Sequence, residues 1–218
     1  TTRREALLGR IAGEYLRKAS IYEIPGTIFR SLFEWEPDSP GLSVMSGKAS
    51  FPVGPAAGPH SQIAPNIVAA YLSGARVFEL KTVQQNDRLE IEKPCIDALD
   101  EGHNVEWSTE LSLEEARKEY LNGWIAVNLL SHALSRKPSD FFFNASVGYT
   151  LDGIQSESVD AFIEGMRRPE ATGYWSEAME ELGAFLSGGA FEKAFGEAAA
   201  EKARTLASHV PVRPVHSV

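Results

Sequence analysis

One cysteine, Cys95, stands alone among 218 residues. That excludes an intrachain disulfide, and a reducing cytoplasm is the expected setting. No apolar run reaches the roughly 18 residues that a membrane-spanning helix needs, so no membrane association is expected. The stretch after Thr1-Thr2-Arg3-Arg4-Glu5 is amphipathic rather than apolar, unlike a secretory leader. Basic residues are in deficit: 21 Lys and Arg face 30 Asp and Glu, a formal net charge of −9. A non-specific nucleic-acid surface needs clustered Lys and Arg, so nucleic acid is not an expected partner. The five histidines, at positions 60, 103, 132, 209 and 216, show no metal-ligand spacing, and no metal site is expected. Neither a Walker loop nor a Gly-x-Gly-x-x-Gly fingerprint occurs, which argues against a nucleoside triphosphate or dinucleotide site within these residues.

What the chain does have is apolar material in ordered patterns. Hydrophobic residues make up 43% and charged residues 23%, enough for a sizeable core and against wholesale disorder. Leu7, Leu8, Ile11, Tyr15 and Leu16 recur at helical spacing and predict a helix over residues 3–18. Residues 20–48, broken by Pro25, Gly26, Pro37, Pro40 and Gly41, read as an irregular arm, so residues 1–48 form an appendage to the rest. A Gly- and Pro-rich run, Phe51 to Pro59, leads into a short helix from about Ile63 to Leu72, with Pro65 in its first turn and Gly74 at its end. Arg76 to Leu80 reads as a buried strand. Ser112 and Glu115 make a capping box, followed by the stripe Leu113, Ala116, Tyr120, Trp124, Val127, Leu130 and Leu134, with Pro138 closing the helix. Phe141 to Val147 is a continuous apolar strand of the kind buried on both faces of a parallel sheet. Two or three helices fill 158–207, the Ala- and Glu-rich stretch 190–204 among them, and 209–218 approaches another strand. Strands alternating with helices predict an α/β fold on a parallel sheet.

Three segments carry candidate chemistry. Ala56, Ala57 and Gly58 follow a strand end and let a flat ligand approach the backbone, although such a loop also serves as a plain tight turn. Lys81 and Thr82 follow a strand directly, at the end where barrel enzymes build their sites, where a lysine is also at home as a solvated loop residue. Asn144 interrupts an apolar strand, beside the candidate segment Asn104-Val105-Glu106-Trp107, and its amide needs partners from a ligand or from neighbouring backbone. Cys95 has no histidine near it in sequence and reads as a structural thiol.

Together these segments resemble a known family. Pro52-Val53-Gly54-Pro55-Ala56-Ala57-Gly58 is similar to the first-strand flavin loop of the dihydroorotate and dihydropyrimidine dehydrogenases. Gly74 through Val83 is similar to their second strand and flavin-lysine segment. Glu92 to Ala98, Asn104 to Glu110 and Asn144 to Tyr149 more closely resemble the N-terminal region of a provisionally named selenate reductase subunit, a large iron–sulfur flavoprotein. The resemblance runs from about residue 20 to the last residue.

The resemblance implies the front half of a (β/α)8 TIM-type barrel over residues 49–218, with a helical insertion at about 156–208. It implies FMN as cofactor, with Ala56, Ala57 and Gly58 against the flavin, Lys81 as the cation beside it, Thr82 and Asn144 as further contacts, and Asn104 facing a small-molecule substrate. His60 and Ser61 depart from the acidic residue and lysine of some members, which argues against orotate. The phosphate cradle and the catalytic Cys or Ser loop have no counterpart before Val218, so the chain is expected to stop near mid-barrel and to be inactive alone. Iron–sulfur clusters would lie in other regions or in a redox partner. The competing expectation is a non-catalytic module that docks within a larger iron–sulfur and flavin assembly.

Overall fold

The computed structural model describes residues 42–44, 47–49, 53–58, 61–83, 111–134, 141–147 and 151–211, and elements are numbered along these. The expected helix at 3–18, Cys95, Asn104, Pro138 and all but the first three residues of the strand approach expected at 209–218 lie outside them. At the end of the stretch read as irregular, two short strands, β1 (Leu42–Val44) and β2 (Gly47–Ala49), pair antiparallel with Leu42 opposite Ala49. Three-residue strands are shorter than any alternation a sequence pattern can register.

The centre is a parallel pair. β3 (Val77–Glu79) lies beside β4 (Phe142–Asn144), with Val77 opposite Phe142 and Glu79 opposite Asn144. A further extended segment runs along the opposite edge of β3. The Val53 carbonyl accepts from Arg76 N–H at 2.8 Å, and the Pro55 carbonyl accepts from Glu79 N–H at 3.2 Å. Pro55 has no N–H to donate, which suits an edge that offers carbonyls. Gly54 is required there, because a Cβ at that position would lie 1.4 Å from the Val77 carbonyl oxygen.

Two helices join these segments in chain order. α1 (Ala64–Leu72) carries Pro65 in its first turn and ends at Ser73, before Gly74. α2 (Leu113–Leu134) begins with the predicted capping box: Ser112 N–H donates to Glu115 Oε2 at 2.9 Å, and Glu115 N–H donates to Ser112 Oγ at 3.2 Å. Its predicted stripe is buried from Leu113 through Leu130. The order segment, α1, β3, α2, β4 with parallel strands is the expected α/β arrangement.

Alternation of side chains along a strand then sorts the two sheet faces. Phe78 and Phe143, 5.0 Å apart, join the core formed with α1 and α2, and Trp124 meets Phe141 at a tilt at 5.0 Å and Phe143 edge-on at 5.4 Å. Each such aromatic pair contributes roughly 0.5–1.5 kcal/mol beyond the area it buries. Val77, Glu79, Phe142 and Asn144 take the opposite face.

Residues 151–207 are helical: α3 (Leu151–Ile154), α4 (Glu157–Arg167), a 3-10 turn (Pro169–Ala171), α5 (Gly173–Ser187), α6 (Ala190–Phe195) and α7 (Glu197–Ala207). The Ala- and Glu-rich stretch is helical as expected, in two pieces broken at Gly196, whose φ of 89° and ψ of 162° no helix contains. These helices cover α2. Phe162 meets Tyr120 edge-on at 6.3 Å, Tyr174 Oη donates to Asn122 Oδ1 at 2.8 Å, and Trp124 Nε1 donates to the Pro211 carbonyl at 2.7 Å. Among the described residues no helix is long and apolar enough to cross a membrane.

Candidate functional site

Lys81, Thr82 and Asn144 lie at the carboxyl end of the parallel pair, and Arg76 lies at its amino end. Ala56 and Ala57 are exposed and Gly58 half-buried, in a loop that leaves the edge segment. The loop is held from within by Ser61, which is fully buried. Its hydroxyl is shared between the carbonyls of Ala56 and Gly58, each at 3.2 Å, and accepts the Gly58 N–H at 3.3 Å. The sequence reading took Ser61 only as a departure from the resembled family. Its structural part, a staple that shapes the Ala-Ala-Gly loop, was missed.

Lys81 follows β3 and is 3% exposed, with Thr82 half-buried beside it. A solvated loop lysine would not be covered in this way, and a buried ammonium is tolerated only among polar or charged groups. The Lys81 backbone is held from two sides. Its N–H donates to the Ser61 carbonyl at 3.4 Å, and its carbonyl accepts the Tyr120 hydroxyl at 2.5 Å. Burial pushes the Tyr120 hydroxyl well above the usual tyrosine range, so it stays a donor at working pH.

Asn144 is 9% exposed and donates through Nδ2 to Glu79 Oε2, its opposite number in the register. That partner was missed as well, since reading one strand at a time cannot show which residue stands across from it. Glu119 on α2 reaches the start of α1 and accepts the Ala64 N–H at 2.8 Å. The amino end of α1 therefore already holds an anion.

The structure thus brings Ala56, Ala57, Gly58, Lys81, Thr82 and Asn144 onto the carboxyl ends of three adjacent parallel segments, while Asn104 lies outside the described residues. Such ends are where parallel α/β sheets and barrels bind ligands. The small exposed side chains of Ala56 and Ala57 permit close approach to the backbone, and the buried Lys81 follows the neighbouring strand. Among the described residues no group of three His, Cys, Asp or Glu is placed to hold a metal ion.

A family model described as "Oxidoreductase YgfK, N-terminal TIM-barrel domain" matches residues 28–217. The chain is 42% identical over 219 residues to the YgfK protein of Escherichia coli strain K12, whose name assigns it provisionally as an oxidoreductase. The same identity holds for the YgfK protein of Escherichia coli O157:H7. Each alignment covers 98% of this chain and 21% of the relative, so the chain spans about a fifth of the length of these proteins. No solved structure matches it.

Proposed function

Because the chain belongs to the family of YgfK N-terminal TIM-barrel oxidoreductase domains, we propose that it forms the first part of an FMN-binding (β/α)8 barrel. In this reading the whole protein moves electrons between the flavin and a small molecule. The observation that carries the reading is the burial of Lys81 at the carboxyl end of β3, tied through Ser61 to the Ala56–Gly58 loop. When bound, FMN supplies a ring that accepts electrons and holds added negative charge.

The roles assigned to this chain's residues are those the resemblance implies, and their chemistry suits them. Ala56 and Ala57 present nothing larger than a methyl group, so a ring can lie against their backbone. Lys81 supplies a fixed positive charge, worth about 1–4 kcal/mol to an anion a few ångströms away at effective dielectrics between water's and about 20. Thr82 and Asn144 add hydrogen bonds, and the resemblance assigns the substrate contact to Asn104. With the amino end of α1 taken by Glu119, the flavin phosphate is held by other parts of the protein. Iron–sulfur clusters and the electron partner also belong to other regions or to a second protein.

The test uses the purified full-length protein. It should show an oxidised-flavin absorbance near ~450 nm. Lys81→Met, which keeps the stem and deletes the charge, should lower the flavin midpoint potential and slow flavin reduction, with substrate binding less affected. A redox titration in which variant and parent share one midpoint would overturn the assignment of Lys81. A protein that carries no flavin and takes none up would be a docking module instead.

A further inference from the structure

The two strands fall out of step beside the lysine. Between the pairs Glu79–Asn144 and Val83–Val147, three residues of one strand (Leu80, Lys81, Thr82) face two of the other (Ala145, Ser146). Ladder bonds close on both sides of this extra residue. Leu80 N–H donates to the Asn144 carbonyl at 2.8 Å, and Val83 N–H donates to the Ser146 carbonyl at 3.0 Å. A bulge of this kind takes one residue out of the ladder and re-aims its side chain.

The bonds that Lys81's backbone makes instead come from outside the sheet, from the Ser61 carbonyl and the Tyr120 hydroxyl. Of these the Tyr120 bond is much the shorter, 2.5 Å against 3.4 Å. Tyr120 is fully buried in the middle of α2 and packs edge-on against Phe162. A phenylalanine would fill that place equally well, so packing explains the ring but not the oxygen. The hydroxyl is accounted for by its bond to Lys81.

We propose that Tyr120 is a positioning residue, whose hydroxyl fixes the Lys81 bulge and so determines where the lysine's charge is held. The effect on flavin rests on the function proposed above; the positional claim does not.

The experiment compares four forms of the full-length protein: parent, Tyr120→Phe, Lys81→Met and Ser112→Ala. Ser112→Ala breaks the capping box of the same helix without touching Lys81, and so controls for general loosening. A dilute amine-acetylating reagent is applied, and the labelling rate of each lysine is read by peptide mass spectrometry. Lys81 should label roughly fivefold faster in Tyr120→Phe, as loss of one net hydrogen bond predicts, while exposed Lys202 keeps its parental rate. The flavin midpoint of Tyr120→Phe should move in the same direction as that of Lys81→Met, by part of its amount. Parental labelling of Lys81 in Tyr120→Phe, or labelling no faster than in Ser112→Ala, overturns the proposal. So does a parental midpoint in Tyr120→Phe when Lys81→Met is shifted. If Lys81→Met itself keeps the parental midpoint, the flavin reading fails, and the labelling rates still decide the role of Tyr120.

Discussion

Arg76 and Lys81 flank β3, one at each end, and both are buried: Arg76 is 5% exposed and Lys81 3%. Their surroundings differ in kind. Arg76 lies 4.2 Å above the Tyr71 ring and donates through Nη1 to the carbonyls of Tyr71, at 3.1 Å, and Ala75, at 2.7 Å. All of these partners lie within five residues of it in sequence, and burial lowers its pKa from the usual arginine value. The bonds to the Lys81 backbone come instead from the loop before α1 and from the middle of α2. The Arg76 side chain is thus held by local contacts that serve stability, while its backbone only continues the sheet toward Val53 and Phe142. The Lys81 backbone is held instead by two segments outside the sheet, so its position depends on their coming together, which is the arrangement a ligand site requires.

The sharpest way to break this contrast is Arg76→Met. Losing a charged donor from two buried carbonyls, together with the ring stack, should cost about 2–4 kcal/mol in urea unfolding. Flavin content and midpoint should not change. A midpoint shift as large as that of Lys81→Met would mean that the two ends are not separable in function.

A somewhat smaller effect is expected from Asn144→Leu. It deprives Glu79 of its amide partner and should cost about 1–3 kcal/mol. It should also weaken flavin retention, measured as flavin per protein after dialysis. If stability falls while flavin content holds, Asn144 serves Glu79 alone.

The smallest effect is a pH dependence. The Tyr120 hydroxyl has a native pKa raised above the ordinary value of 10.0. A raised pKa gives stability that is fully present below pH 10 and is lost as pH climbs toward the native value, by at most about 1.4 kcal/mol per pH unit. The stability difference between parent and Tyr120→Phe should therefore hold steady from pH 7 to 9 and shrink above 10. A difference that grows above pH 10 would contradict the burial of that hydroxyl.

How much of this could be read in the sequence depends on the range of the interaction. The Ser112–Glu115 box, the stripe of α2, Pro65 in the first turn of α1 and the apolar strand around Phe142 are all local patterns, and each is present as expected. The sites at Ala56–Gly58, Lys81, Thr82 and Asn144 were legible as positions following or within strands. Their partners were not. Tyr120 lies 39 residues from Lys81, and Glu79 lies 65 from Asn144; neither spacing leaves a periodic trace. Tyr120 was read as one more apolar residue of the α2 stripe, which describes its ring and omits its hydroxyl.

The bond from Trp124 Nε1 to the Pro211 carbonyl bears on how a sheet protein can carry so large a helical region. After β4 the chain runs through five helices and is then tied back to α2, the helix that precedes that strand. The entropy of closing such an excursion grows only with the logarithm of its length, about 0.6 kcal/mol for each doubling. A detour through α3 to α7 therefore burdens the sheet little more than a short loop would. Once its ends are anchored, its length is nearly free to vary.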